Sequence, residues 1–407
     1  MVIERNPGGW LTARRLRAHA TIFALCLWSI YVWNLATPGL RDRNGNLKGT
    51  DFLHLYTLGS LAVAHRGADL YNMNAQAALA VELVPEAAGV RYLPLYPPQV
   101  SLFFGPLARF SYGWALLLWW GCSTAVYGVC CYCLWRACLN LRDYGRLVFL
   151  LAIAYPAFFH LIAWGQTSAL ALGCFTLGFF LLRARYEFAV GLVLGCLIFK
   201  PQLALAAAVV FAAVGAWRIL AGAALSAAAQ LGAGILYYGM SPLQQWIHAL
   251  RSVSAVLPLF EPRLYQTHCL RTFWAMLIPW EHISLALYIL SAVAVFALTI
   301  ACWRRASVPL AAKYSLLLLA TVLVAPHLTV YDLVILAPAF LLLGDWLAGQ
   351  PSTSSARGLG TLLYLVYALS LLGPFARWTH VQLSVIAMTA SVYVIWRMSR
   401  QTDPVPE

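Results

Sequence analysis

Charge is what this sequence has least of. Only 10% of its 407 residues are Asp, Glu, Lys or Arg, against roughly 25% in soluble domains, and 62% are hydrophobic. That shortage excludes a soluble fold, because the apolar runs recurring from Ala20 to the segment ending near Trp396 could be hidden from water only inside a very large core. A disulfide framework is excluded too. Nine of the ten cysteines, including Cys122, Cys130, Cys131, Cys133 and Cys138, fall in or beside apolar spans, and only Cys269 lies in a long polar stretch. The Cys130-Cys131-x-Cys133 cluster reads as small hydrophobic packing rather than a metal site, since adjacent helical positions point about 100° apart. No internal repeat is evident. The first apolar run, residues 20–37, follows Arg14, Arg15 and Arg17 like a signal peptide, yet no small-residue cleavage site comes after it, so it is expected to remain as the first helix.

What is present is an all-α polytopic membrane protein. The formal charge of +13 comes from 27 basic against 14 acidic residues; the bases sit at the ends of apolar segments, which points to anionic headgroups and away from nucleic acid. Placing the N-terminal arginines in the cytoplasm makes Arg136, Arg142 and Arg146, then Arg183 and Arg185, Arg218, Arg304, Arg305 and Lys313, and finally Arg397 and Arg400 further cytoplasmic sites. The pattern closes with about twelve transmembrane helices, near residues 20–37, 113–135, 147–163, 167–182, 187–199, 202–217, 219–238, 284–303, 314–326, 329–346, 359–373 and 381–397. Several are shorter than the roughly 20 residues a span needs, so broken or tilted helices are expected. Residues 1–400 form one integral membrane domain, and 401–407 a disordered tail.

Two stretches stand outside the alternation, 38–110 and 239–282, and both are assigned to the extracytoplasmic side. In the first, Phe52, Leu55, Tyr56, Leu58 and Leu61 recur at near-helical spacing after Thr50, which predicts an amphipathic helix lying in the interface with Thr50 as its cap. The run 97–110 is apolar enough to enter the membrane. A full crossing there would put most later arginines outside, so it is read as a re-entrant or surface helix.

This orientation brings Asp51, Gln166, Lys200 and His327 to one membrane face. Asp51 opens the first outer helix, where backbone donors would hold its carboxylate, either as a cap alone or as a base that takes a proton from a hydroxyl. Lys200, followed by Pro201, interrupts an apolar stretch; it could pair with a lipid phosphate or merely snorkel at a turn. His327 follows Pro326, with Tyr331 and Asp332 one turn later. Trp164-Gly165-Gln166 and Tyr96-Pro97-Pro98 offer aromatic and amide groups suited to a sugar, although interfacial belts use the same residues. Arg251, Arg263, His268 and Arg271 read as a mobile basic group that clamps phosphate or faces anionic lipid.

These residues in this order carry a resemblance. Asp51-Phe52 with Tyr56, Asp69-Leu70-Tyr71, Tyr96-Pro97-Pro98 leading to Gly105-Pro106-Leu107, Gly165-Gln166, Lys200-Pro201, and Pro326-His327 with Tyr331-Asp332 resemble glycosyltransferase family 87, integral membrane GT-C enzymes that include polyprenyl-phosphate-mannose-dependent mannosyltransferases. The resemblance implies a GT-C fold, a catalytic aspartate at Asp51, an active-site histidine at His327, a sugar donor carried on polyprenyl phosphate and a glycolipid or glycan acceptor, at the extracytoplasmic face of a bacterial inner membrane. Lys200, Arg263 and Arg271 become candidates for the donor phosphate; His54, Tyr56, Tyr71, Tyr96, Gln166, Tyr331 and Asp332 become candidates for sugar and acceptor. The chain departs from the family pattern at Ser168, where asparagine is common, and at Leu328 and Thr329 after the histidine.

The residues agree with a lipid-phosphate donor. A nucleotide-sugar enzyme would be expected to carry a metal-binding Asp-x-Asp pair, and the sequence has none. The expected reaction is therefore an inverting, metal-independent transfer of a hexose, mannose first, with Asp51 as general base and no cofactor. A flippase for a lipid-linked sugar is the main competitor, but it needs a polar path, and the centres of the expected helices are nearly free of charge. A non-catalytic assembly subunit would have no need of Asp51 and Lys200 on one face.

Overall fold

The computed structural model describes residues 11–252, 263–351 and 353–401. Among these every regular element is helical, and β-structure is limited to two isolated bridges, Arg41 with Leu47 and Thr267 with Thr329. In order the α-helices are α1 (Ala13–Leu35), α2 (Thr50–Val63), α3 (Met73–Leu83), α4 (Gln99–Phe104), α5 (Tyr112–Ala137), α6 (Gly145–Ile153), α7 (Pro156–Trp164), α8 (Ser168–Arg183), α9 (Glu187–Gly195) and α10 (Pro201–Ala213). They continue with α11 (Trp217–Tyr238), α12 (Ser241–Arg251), α13 (Leu270–Leu277), α14 (Glu281–Trp303), α15 (Leu310–Val324), α16 (Ala337–Ala348), α17 (Ser354–Leu369), α18 (Ala376–Thr379) and α19 (Leu383–Gln401). The tail expected to be disordered lies outside the described residues except for Gln401, which ends α19.

A helix or a broken pair occupies each of the twelve apolar segments read from the sequence, but among the described residues six helical segments are by themselves long and apolar enough to cross a bilayer: α1, α5, α11, α14, Val330–Ala348 and Ser354–Thr379. The stretch Leu139–Ile153 with Pro156–Trp164 makes a seventh if a 45° bend at the intervening break is allowed. α8, α10, α15 and the run Glu187–Phe199 are apolar but shorter. This is a multi-pass membrane protein. Its periphery is apolar, with Ile22, Leu25, Ile30 and Trp33 of α1 exposed, while α15 is enclosed, twelve of its fifteen residues being buried. Such an inversion of the soluble pattern suits lipid outside and protein inside.

The first outer stretch departs from expectation. α2 does not lie amphipathically on a surface: every residue from Phe52 to Gly59 is buried, as are Leu61 and Ala62, because α4, the 3-10 turn Leu107–Arg109 and α5 wrap around it. Thr50 is not its cap either. Gly49 holds the N-cap position with φ +65, and the Thr50 hydroxyl donates to the Leu47 carbonyl at 2.7 Å. The run 97–110 forms only the six-residue α4 and the Leu107–Arg109 turn, about 9 Å of α-helix at 1.5 Å per residue, too short to cross a bilayer by itself. Within 239–282, α12 and α13 replace the expected loop.

The tightest helix pair is α9 with α11, and its closeness is built from glycine. A Cβ on Gly191 would sit 2.0 Å from the Ile219 carbonyl oxygen, one on Gly195 2.4 Å from the Ala223 oxygen, and one on Gly222 2.3 Å from the Phe188 oxygen. Backbones in this contact touch directly, the small-xxx-small arrangement of membrane helices. The pair fixes the end of α9, from which the 3-10 turn Cys196–Phe199 leads to Lys200. Gly191→Ala should therefore lower the melting temperature in detergent, with overpacking costing about 1–3 kcal/mol. Gly232→Ala on α11, where an added Cβ meets nothing within 4 Å, should leave it unchanged or raise it slightly.

Candidate active site

Four breaks between helices converge on one point. α2 starts at Thr50 and places Asp51 in its first turn. α7 stops at Gly165, whose φ of +70 is the left-handed C-cap conformation that glycine adopts without strain; a Cβ there would also lie 2.7 Å from Cβ of Phe52. The end of α7 thus rests on the start of α2, and the Trp119 indole locks it by donating to the Gly165 carbonyl at 3.0 Å. Gln166 follows, and Ser168 begins α8. Pro201 occupies the first position of α10, where its missing N–H costs nothing, and holds Lys200 before it out of helical conformation, at φ −136, ψ 72. The fourth break carries Thr329, Tyr331 and Asp332 into the 3-10 run Val330–Leu336.

The side chains at these breaks form one hydrogen-bonded chain. The Gln166 amide nitrogen donates to Asp51 Oδ2 at 2.5 Å, and its oxygen accepts from Lys200 Nζ at 3.4 Å and from the Tyr96 hydroxyl at 3.5 Å. Lys200 Nζ lies 2.7 Å from Asp332 Oδ1 and 3.1 Å from Ser168 Oγ, and Ser168 donates to the same Asp332 oxygen at 2.5 Å. The other Asp332 oxygen accepts from the Thr329 backbone and hydroxyl at 3.4 and 3.3 Å, a capping box. Lys200 also stands 5.0 Å from the centroid of the Tyr331 ring, which Trp164 flanks at 6.1 Å. Asp51 and Lys200 are thus bridged by a single amide.

The electrostatics follow from enclosure. Burial raises the Asp51 carboxyl to about 6; the Gln166 hydrogen bond and Lys200 oppose the rise, and Asp332 adds to it. For Lys200 burial works against the ammonium, and its carboxylate neighbours, Asp332 first, more than offset that. The result is a carboxyl that changes charge near pH 6 beside a cation held in place.

The other candidates fall into different surroundings. Tyr96 joins the chain. Tyr56 donates its hydroxyl to the Phe110 carbonyl at 2.8 Å and Tyr71 to the Tyr96 carbonyl at 2.9 Å, so both brace the wall behind the site with the groups expected to meet sugar. His54 is buried with its ring stacked on Tyr92 at 4.8 Å, and burial pushes it down to about 4. His327 is partly buried on the turn that bears Asp332, and the chain from Asp51 to Asp332 is complete without it.

Of the expected basic group, His268 is corrected by the structure. His268 is buried, its Nδ1 bonded to Ser384 Oγ at 2.7 Å, and burial, helped by His160, pushes it down to about 3, so it carries no charge at neutral pH. Arg271 donates to the Pro326 carbonyl, while Arg251 and Arg263 are exposed. Lys200, a candidate for the donor phosphate, is paired with Asp332. Sequence reading missed Ser168, Thr329 and Tyr92 as site residues. Thr329-x-x-Asp332 ahead of an apolar run is a capping-box signature that could have shown the second; nothing local marks Tyr92, whose hydroxyl donates to the Thr50 carbonyl from 42 residues away.

The family model for glycosyltransferase family 87 matches residues 95–330. The chain belongs to glycosyltransferase family 87. Tyr96, Gln166, Ser168, Lys200 and His327 lie within the matched region, while Asp51 lies before it and is joined to it through Gln166. No curated protein and no solved structure matches the chain. Membership in family 87 together with the apolar helices makes this a membrane glycosyltransferase, which implies a sugar donor, an acceptor and contact with lipid.

Proposed function

We propose that the protein transfers a hexose, mannose first, from a polyprenyl-phosphate donor to a glycolipid or glycan, by single displacement at the extracytoplasmic face of a bacterial inner membrane in a GT-C fold. The reading is carried by one observation: the carboxylate of Asp51 and the ammonium of Lys200 are held on the two ends of the Gln166 amide. Asp51 takes the proton of the acceptor hydroxyl as its oxygen bonds to the anomeric carbon. The bond from that carbon to the phosphate oxygen breaks on the opposite face, and polyprenyl phosphate leaves with the electron pair. Developing charge on the phosphate needs a fixed cation, which Lys200 supplies by exchanging its contact with Asp332 for one with the donor. His327, Arg263 and Arg271 flank the donor phosphate in this reading, and Tyr96, Tyr331 and Asp332 the sugar.

The test is direct. Purified protein incubated with a panel of polyprenyl-phosphate sugars and acceptor lipids should release polyprenyl phosphate only with acceptor present, and the product should have the inverted anomeric configuration. Retention would overturn the single displacement; no release from any such donor would overturn the donor class. A pH dependence follows from Asp51. The base works ionised, so kcat/KM should rise through about pH 6 and level off above it. A limb near pH 4, the range of an unperturbed carboxyl, would separate Asp51 from the rate.

A further inference from the structure

One cavity among the described residues is lined by none of the residues placed in this chemistry. It encloses about 520 Å³ between α6, α16 and α17, with α1 and α5 closing its sides, a size in the usual range of ligand pockets, about 300–1,000 Å³. Its wall is hydrocarbon: Leu147, Leu151, Phe340, Leu347 and Leu363 face it. Five tyrosines also line it, and the hydroxyls of four are used elsewhere, Tyr127 donating to the Ala152 carbonyl, Tyr155 to Leu333 and Tyr367 to Leu151, at 2.8, 2.6 and 2.8 Å, and Tyr364 sharing a hydrogen bond with His19 Nδ1 at 2.6 Å. These four offer ring carbon and no free polar group. A sugar would lose its hydrogen bonds there without replacement.

One end of the cavity is different. Arg357 and Tyr144 stand there; among the described residues the Arg357 guanidinium meets no carboxylate. The segments bordering this end add Arg14 and Arg17 beside the lining Leu11 and Leu16, and Arg142 and Arg146 beside Tyr144. Two acids border it against these bases, Asp143 beside Tyr144 and Asp345, which is occupied by the Asn140 backbone at 2.7 Å. This basic end is remote from Asp51. α5, 26 residues long, begins at Tyr112, whose hydroxyl donates to the Lys48 and Gly49 carbonyls just before Asp51, and finishes at Ala137, just before the turn Leu139–Tyr144, about 38 Å away along the helix. At its inner end the lining Tyr155 donates to the carbonyl of Leu333, the residue after Asp332.

We propose that this cavity seats one acyl chain of an anionic phospholipid, entering from the arginine-rich end, with its phosphate held at Arg357. A hydrocarbon slot with a basic mouth selects an amphiphile with an anionic head, each basic residue contributing about 1 kcal/mol near such a headgroup. The full chain, purified in mild detergent and incubated separately with phosphatidylglycerol and phosphatidylcholine, should retain one phosphatidylglycerol in native mass spectrometry and far less phosphatidylcholine. Gly360 lines the cavity, and a Cβ added there meets nothing within 4 Å. Gly360→Trp should fill the slot and reduce retention at least about tenfold, with Gly360→Leu as a milder filler giving a smaller loss in the same direction. Arg357→Gln should keep the chain bound but lower the preference for phosphatidylglycerol about fivefold. Undiminished retention in both Gly360 variants, equal retention of the two lipids by the native chain, or displacement of phosphatidylglycerol by polyprenyl phosphate would each overturn the proposal, the last by giving the slot to the donor's tail.

Discussion

Asp51→Asn is expected to cut turnover by about 10²- to 10⁴-fold, the usual contribution of a positioned base, while leaving donor affinity nearly unchanged. Asparagine keeps the shape of the side chain and an oxygen that can accept from Gln166 Nε2, so the amide that bridges to Lys200 need not move. What is lost is the capacity to take a proton. The pH limb near 6 should vanish with it, leaving a low, flat profile. Stability should move the other way. The Asp51 carboxyl is raised in the folded protein, from 3.8 to about 6 and chiefly by burial, so the folded state binds its proton more tightly than the unfolded chain does. The stability associated with that proton is fully present below about pH 4 and lost as pH rises through about 6. Above that, the native protein carries the cost of a buried carboxylate, and Asp51→Asn does not. The variant should therefore melt higher than the native chain at pH 8, by a margin that shrinks toward pH 4. Loss of rate with gain of stability is what a strained functional group predicts; loss of both would make Asp51 a structural residue.

How much of this could be read from the residues alone divides along physical lines. Helix positions were legible, because a membrane helix must be a continuous apolar run, and each of the twelve runs is helical. Their lengths were legible only in part: the Lys200-Pro201 interruption marks where helices stop, whereas the break before Pro156 divides a run, 147–163, that reads as one helix. The environment of α2 was not. Its spacing of Phe52, Leu55, Tyr56 and Leu58 reads as one apolar face, but His54, Thr57 and Gly59 on the remaining faces are buried too, by α4 and α5, and a one-dimensional pattern carries no record of what packs against it. The same limit applies to the site. Gathering Asp51, Gln166 and Lys200 at one face needed only a count of crossings; finding that Lys200 is held by Asp332, 132 residues away, needed the fold. Gly191, Gly195 and Gly222 are visible as small residues, yet their function as a direct backbone contact that steers the chain to Lys200 appears only when the two helices are seen together.

Removing the cation should have the largest structural effect of any substitution in the site, and its consequences can be separated. In Lys200→Met, Asp332 keeps Ser168 and Thr329 but loses its ion pair while nearly fully buried. An uncompensated buried charge of this kind costs about 3–5 kcal/mol, so the single variant should melt well below the native chain. Asp332→Asn in the same background removes the stranded charge, and most of that loss should be recovered, because deleting both members of a buried pair is far less damaging than deleting one. Donor affinity should not recover. A charge-assisted contact to phosphate is worth about 1.5–3 kcal/mol, roughly 10- to 150-fold in Kd for a polyprenyl-phosphate sugar, and neither methionine nor asparagine replaces it. Asp332→Asn alone should do the opposite, freeing Lys200 from its internal anion and tightening donor binding by easing the exchange that the donor phosphate must make. If the double variant binds donor as the native protein does, Lys200 only holds Asp332 in place and the leaving phosphate draws its cation from elsewhere. If affinity falls in the double variant and rises in Asp332→Asn, the ion pair is the resting state of the cation that stabilises the leaving group.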